Sequence, residues 1–246
     1  MNKIFGFDFT EIPKREQEFI IDNIEMKEGI AKNRALIENM FALFVCVNTK
    51  VPLFIVGKPG SCKSLSAQLL FKSMKGNISD NILFKSLPKL CPQTYQGSLG
   101  STSEGILYKF KCARRILEKE NEDNLSNIIS LVYFEGIDLA DHSPNNPLKV
   151  LHPEIEYDLN KGRTKIAFVG ILNCPLDPLK MNKGLYLSVP QLKLEDLKYT
   201  ARTIAESYNI KLAKEHKDLF EDLAITYREY KDELMRYYFY LLEYYY

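Results

Sequence analysis

The sequence predicts an α/β fold, a parallel sheet with helices packed over it, and three observations carry that prediction. Apolar runs without polar alternation at 51–56, 128–134 and 165–172 read as strands covered on both faces. Stretches of helical periodicity separate these runs, as parallel β–α–β connections require. The first run leads directly into Gly57-Lys58-Pro59-Gly60-Ser61-Cys62-Lys63-Ser64, a glycine-containing loop between strand and helix.

The elements follow in order along the chain. Residues 1–18 are polar and are read as an extension. Residues 19–48 carry helical spacing, with Ile24, Ile30, Leu36, Ile37 and Met40 as expected burial points. The strand at 51–56 precedes a helix that opens at Ser64, runs through Leu65, Leu69 and Leu70 to about Met74, and is ended by Gly76. A proline-broken strand spans 84–96. Ser101 or Thr102 caps the next helix through Ile106, Phe110 and Ile116, and Ser101 with Glu104 has capping-box spacing. After the strand at 128–134 come a short helix at 145–156, a buried strand at 165–172 and a shorter strand at 185–189. From residue 192 the pattern is helical and more polar, marked by Ile204, Leu212, Leu219, Leu223 and Ile225. A tyrosine-rich segment, Tyr237 to Tyr246, is expected to pack as part of a helical lid.

Bulk properties exclude several classes. The 246 residues suit one large domain, or a domain with a small lid, and 46% hydrophobic content is enough for a core. A net charge of +1 implies no polyanion partner, so no nucleic acid is expected. No apolar run approaches the ~20 residues of a membrane span. Cys46, Cys62, Cys91, Cys112 and Cys174 form no paired framework, which points to a reducing, cytoplasmic setting. His142, His152 and His216 lack metal-ligand spacing.

Residues 57–64 fit the phosphate-loop pattern G-x-x-x-x-G-K-[ST], except that Cys62 stands where glycine is wanted. Successive backbone N–H groups of Gly57, Lys58, Pro59, Gly60, Ser61, Cys62, Lys63, Ser64 and Leu65 (proline contributing none) are placed to ring phosphates at the positive end of a helix. Lys63 is expected to reach the β- and γ-phosphates of ATP, and the Ser64 hydroxyl to ligate Mg²⁺. If position 62 needs φ > 0, its Cβ costs on the order of 1 kcal/mol. If it needs only a small residue, cysteine suffices.

Such a site wants an acidic pair at the tip of a neighbouring strand, one carboxylate for the metal and one for the attacking water. The strand at 128–134 ends in Glu135-Gly136-Ile137-Asp138, with one acid where two are wanted. Either Glu135 takes the metal side and Gly136 the place of the base, or Glu135 is the base and Phe134 has displaced the metal ligand. Asp138 and Asp141 are near enough in sequence to substitute in part. Asn173, after the strand at 165–172, is placed either to hold water or the γ-phosphate, or to make a turn.

Several strings together resemble one AAA+ module of the mysterin family, giant ring-finger AAA+ ubiquitin ligases. They are Ile30-Ala31-Lys32-Asn33-Arg34-Ala35-Leu36; residues 51–65; His142-Ser143-Pro144; Pro147-Leu148-Lys149 with Leu151-His152-Pro153; and Asn173 with Leu176-Asp177-Pro178 and Met181-Asn182-Lys183-Gly184. The resemblance covers roughly residues 15–208, and the segment Tyr240-Leu241-Leu242-Glu243-Tyr244-Tyr245 is similar to part of the lid.

The resemblance implies a P-loop NTPase of AAA+ type with a three-layer parallel sheet over residues 19–190 and a partial helical lid over 191–246. It implies a small polar residue at position 62, the sensor role for Asn173, and Glu135 on the metal side with Gly136 on the place of the family's glutamate. Lys183 falls where the family has arginine, a position suited to touching a neighbouring module's nucleotide, and lysine keeps the charge but loses the planar fork. Glu135, Asn173 and Lys183 are thus the expected catalytic residues. Neighbouring AAA+ modules or a larger assembly, and ubiquitin-system components, are the expected partners. Ligase elements lie elsewhere in such proteins, so the chain is expected to be a fragment, a truncated paralogue or a single-module relative. Hydrolysis is expected to be slow, with a glutamate at position 136 restoring it; a non-hydrolysing structural or regulatory ATP-binding module is the alternative.

Overall fold

A two-residue antiparallel pair, β1 (Lys3–Ile4) with β2 (Phe7–Asp8), opens the chain, and α1 (Glu11–Asn23) follows. The structure is a computed structural model that describes residues 3–4, 7–8, 11–122, 127–160, 166–208, 219, 222–230 and 233. The chain divides into two compact units, Met1–Glu25 with Ala35–Gln191, and Met26–Arg34 with Leu192–Tyr246. Among the described residues no helix is long and apolar enough to cross a membrane.

The single helical stretch expected over 19–48 is two helices, α1 and α2 (Arg34–Thr49). The break contains Gly29 at φ +85°, a backbone state that a right-handed helix cannot include. Ile24, Leu36 and Met40 are buried as expected, whereas Ile30 and Ile37 are only half-buried. The expected boundary at residue 18 also falls inside α1, whose Ile20 and Ile21 are buried.

The sheet is built from β3 (Leu53–Val56), β4 (Lys89–Gln96), β5 (Ile128–Glu135), β6 (Ala167–Leu172) and β7 (Leu185–Ser188). Its order is β4-β5-β6-β3-β7, and every neighbouring pair is parallel. The three inner strands are the apolar runs, since they are covered on both faces. The two edges read differently. β7 has four largely exposed residues, and β4 carries Pro92, whose missing donor is tolerated at an edge.

The connecting helices are α3 (Lys63–Ser73), the one-turn α4 (Ile82–Lys85), α5 (Ser103–Glu122), α6 (Ile137–Asp141), α7 (Leu151–Asn160) and the one-turn α8 (Pro178–Met181). Phe54, Val56, Val132, Phe134, Phe168 and Leu172 pack on one side of the sheet against Ile106, Phe110 and Ala113 of α5 and Leu151 and Ile155 of α7. Phe110 stacks on Phe168 at 6.1 Å. On the other face Phe71 of α3 meets Tyr133 edge-on at 5.2 Å. The molecule therefore has helices on both faces of the sheet.

Three local readings change. Met74 is the C-cap of α3, and Gly76, at φ +64°, instead opens a 3-10 turn. Thr102, not Ser101, caps α5 by accepting from the Gly105 N–H at 3.2 Å, while Ser101 Oγ accepts from Ser98 N. The helix expected at 145–156 is a 3-10 turn, Pro147–Val150, followed by α7, and α6 precedes it unannounced.

The second unit contains α9 (Leu194–Ser207) and a helical stretch at 222–230. Ile204, Leu219, Leu223 and Ile225 are exposed, and the small Ala205 and Ala224 are buried instead. Leu212 and the tyrosines from 237 onward lie outside the described residues. Within this unit the Asn33 amide donates to Thr200 Oγ1 at 3.3 Å.

Candidate functional site

Strand register brings the loops to one level. Val56 pairs with Leu172, Ile171 with Glu135, and Glu135 with Gln96. The residues just beyond continue the ladder: Gly57 N donates to Leu172 O, Gly136 N to Ile171 O, and Gly97 N to Glu135 O. Chain order reverses between β3 and β6, and a crevice at such a switch point, outside the carboxyl ends of the strands, is where ligands bind in open α/β sheets. A cleft of about 440 Å³ lies there. Pro59, Gly60, Ser61, Cys62, Lys63, Ser64 and Leu65 form one wall; Glu135, Gly136 and Asn173 face them with Gln96, Leu139 and Ile171.

The 57–64 loop owes its shape to a few contacts. Gly57 has no room for a side chain, since a Cβ would lie 2.9 Å from Ser61 Oγ and 3.0 Å from Val189 Cβ. Gly60 takes φ +82°. Ser61 Oγ donates to Lys58 O at 2.7 Å, closing the turn. Cys62 is left-handed, φ 60° and ψ 13°, so the position does ask for a residue that tolerates φ > 0. The Cys62 side chain makes no capping hydrogen bond to the first turn of α3, whose positive end faces the cleft. The Lys63 ammonium donates to the carbonyls of Gly57 and Lys58 and to Ser61 Oγ.

Opposite, the Ser64 hydroxyl donates to Glu135 Oε1. A hydroxyl and a carboxylate, both hard oxygen ligands, side by side at the edge of an open cleft form a donor set that fits Mg²⁺, which keeps several waters and takes one or two protein oxygens. The half-buried Glu135 thus stands beside Ser64, the residue expected from sequence to ligate the metal. Burial, and then the negative charge of Glu135, push the Tyr133 phenol well above its ordinary range, so it stays neutral.

Gly136 lies in the cleft wall with φ 72° and ψ 42° and is the N-cap of α6. This geometry alters the expectation that glutamate at 136 restores a base. An L-residue there is strained, and its Cβ would lie 3.2 Å from Gln96 Nε2. Asp138 and Asp141 do not line the cleft. Asp141 pairs with Lys180 at 2.6 Å, and Asp138 is buried, with Cys174 Sγ 3.8 Å from its Oδ2. Burial first, then Asp138, raises the Cys174 thiol.

Lys183 is not in this cleft. Its Nζ pairs with Glu156 Oε1 at 2.7 Å on the surface, and the bond to Lys183 holds the Glu156 carboxyl below its usual range. The Leu151 to Pro153 string lies against the residue just before Met181: His152 Nε2 and Lys180 O are 2.7 Å apart.

Two residues of the site were not singled out from sequence. Asn39, fully buried on α2, donates its amide to Ser61 O at 2.8 Å and so holds the phosphate-loop backbone; its Oδ1 meets no partner among the described residues. The available signal was a polar residue on the apolar face shared by Leu36, Met40 and Leu43. Gln96, the last residue of β4, carries the same signal as Asn173, a polar amide at a strand end; the strand expected over 84–96 ended at this residue, and its amide was passed over.

Comparison with known proteins bears on the family and the fold. The family model described as the RNF213 AAA domain matches residues 29–196. The chain is 39% identical over 236 residues to the E3 ubiquitin-protein ligase rnf213-beta of Danio rerio, covering 91% of this chain and 5% of that protein. It is 39% identical over 198 residues to the E3 ubiquitin-protein ligase RNF213 of Homo sapiens, covering 78% of this chain and 4% of that protein. The chain thus spans about one twentieth of the length of these relatives. Among solved structures, the Aeropyrum pernix ORC2 protein, determined as ADPNP and ADP complexes, superposes with a TM-score of 0.50 at 14% identity, over 72% of this chain and 54% of that one, a likeness of fold alone. With a matching family model over most of its length and relatives that contain it as a segment, the chain belongs to the RNF213, or mysterin, family as one of its AAA modules.

Proposed function

We propose that this chain is a nucleotide-holding AAA+ module that binds Mg-ATP through residues 57–65 and turns it over slowly. The observation that carries the reading is the Ser64–Glu135 contact at a cleft walled by the N-terminus of α3 and Lys63. The α3 N-terminus and loop amides hold phosphate oxygens, Lys63 neutralises their charge, and Ser64 with Glu135 holds the metal, whose charge screens the phosphates. Glu135 is then engaged with the metal, and Gly136 offers no carboxylate to deprotonate water. General-base assistance is worth about 10²–10⁴-fold, so turnover is slower by some such factor than with a complete acidic pair. The absent side chain at 136 also favours the second reading, a module that keeps ATP as a structural or regulatory ligand.

In this reading residues 19–190 are the nucleotide-binding domain and 191–246 a partial lid. Lys183 serves an adjacent module's nucleotide rather than its own. The setting is a larger cytoplasmic assembly of AAA+ modules connected to the ubiquitin system, since the similar proteins are ubiquitin ligases. Neither a nucleic-acid partner nor a membrane span belongs to this reading. Lys63→Ala removes a charge-assisted contact worth roughly 1.5–3 kcal/mol. Calorimetry is expected to show ATP affinity falling accordingly; equal affinity in both proteins refutes the reading.

A further inference from the structure

Once Ser64 and Glu135 are assigned to each other, few polar side chains in the cleft can hold the attacking water. Asp138 and Asp141 lie outside it. Ser61 Oγ is engaged with Lys58 O. Two amides remain, Gln96 at the end of β4 and Asn173 after β6, and neither side chain hydrogen-bonds to another described residue. Both are exposed to the cleft. They rise from either side of the Glu135–Gly136 strand end, because β5 lies between β4 and β6 in the sheet.

Gln96 is the closer to the place of the missing base. It pairs in register with Glu135, and its Nε2 lies 3.2 Å from where a Cβ on residue 136 would begin. The amide therefore occupies the space beside position 136 into which a glutamate there would extend. Gly97 secures this placement. Its N–H donates to Glu135 O at 2.7 Å, and a Cβ on it would lie 1.9 Å from Gly136 O, so backbone packs on backbone directly beyond Gln96.

From this geometry we propose that Gln96, with Asn173, orients the water that attacks the γ-phosphate, in the position where a base carboxylate is missing. This inference rests on the reading of the site as one that binds Mg-ATP. Gln96 accepts a hydrogen bond from the water through its amide oxygen and takes no proton. The water oxygen bonds to the γ-phosphorus, and the bond from that phosphorus to the β–γ bridging oxygen breaks, its electron pair leaving with ADP. One water proton stays on the new phosphate hydroxyl and the other passes to a γ-phosphate oxygen, giving ADP and inorganic phosphate. An amide holds water without becoming basic, so turnover is slow and lacks a carboxylate limb in its pH profile.

The test uses the 246-residue chain with Gln96→Ala and Gln96→Glu, beside Lys63→Ala as the binding control. Gln96→Ala is expected to leave ADP affinity unchanged and to weaken ADP–aluminium fluoride, which mimics the transferring phosphoryl with its in-line water, by about tenfold, the worth of one hydrogen bond. Single-turnover hydrolysis falls by a similar factor. Gln96→Glu places a carboxylate on an unstrained strand residue, and turnover is expected to exceed wild type and to rise with pH as that group ionises, while wild type stays flat between about pH 5 and 8. Wild-type behaviour of both Gln96 variants in aluminium fluoride affinity and turnover, with binding lost in Lys63→Ala, overturns the role of Gln96 alone. A chain that binds ATP and never hydrolyses it overturns it as well. Unchanged ATP affinity in Lys63→Ala overturns the underlying reading of the site.

Discussion

The β3–α3 and β5–α6 turns both place a left-handed residue at the N-cap of the following helix, Cys62 at φ 60° in one and Gly136 at φ 72° in the other. Both turns leave the sheet at the same level and line the same cleft. They depart from the usual phosphate site in opposite senses. At Cys62 the motif's glycine has become a side chain; at Gly136 the resemblance's glutamate has become a glycine. In the proposed reading the first departure strains the backbone and keeps the chemistry, because backbone N–H groups, Lys63 and Ser64 would make the phosphate contacts. In the same reading the second relaxes the backbone and would remove the chemistry, because a base acts only through its side chain. A loop that works through its main chain tolerates substitution where a catalytic turn does not.

The largest effect is expected where the acidic turn is held by backbone contact. Gly97→Ala directs a methyl at Gly136 O, only 1.9 Å from the ideal position, with no flexible side chain to give way. Overpacking of this kind costs about 1–3 kcal/mol or more, which a shift of the urea midpoint measures. A midpoint equal to wild type means that Gly97 does not fix this turn.

A paired substitution separates the two turns more finely. Gly136→Glu adds a Cβ at φ 72° and is expected to lose about 1–2 kcal/mol of stability, with less gain in turnover than Gln96→Glu. Cys62→Gly relieves similar strain but adds flexibility to the unfolded chain, so its stability is expected to stay within about 1 kcal/mol of wild type. Denaturation and single-turnover hydrolysis read both. A stable Gly136→Glu with turnover raised tenfold shows that the β5–α6 turn can leave the left-handed state, and the contrast between the turns then dissolves.

The smallest effect lies outside both turns. Lys183 holds the Glu156 carboxyl below its usual range through their hydrogen bond. A lowered folded-state value means that the contribution is present above the ordinary carboxylate pKa and is lost as pH falls through the folded-state value. In Lys183→Ala the Glu156 resonance is expected to titrate higher by NMR, with turnover of the isolated chain unchanged. Slower turnover in that variant argues that Lys183 serves its own cleft.

Much of the site was legible because its determinants are local. The run at 51–56, the glycines, Lys63, Ser64 and the helix after them are contiguous, and strand ends named Glu135 and Asn173 from hydrophobic pattern alone. Boundaries were weaker where a single backbone state decides them, as at Gly29, which splits one expected helix into two, and at Gly76, which opens a turn rather than capping a helix.

The sequence by itself determined the buried parallel strands, the phosphate loop and the family, because apolar runs, loop spacing and recurring strings need no knowledge of what lies across space. Only the tertiary structure decided that Glu135 reaches Ser64, that Asn39 holds the Ser61 carbonyl, that Asp141 is taken by Lys180, and that Gln96 stands beside Gly136. Each of these pairs joins residues far apart in the chain; sheet order and register set the separation of Ser64 from Glu135 and of Gln96 from Gly136, and the placement of α2, α6 and α8 sets the other two. The same holds for the sign of φ at Cys62 and Gly136: the chain offers a cysteine and a glycine, and the packing of strand against helix makes both left-handed.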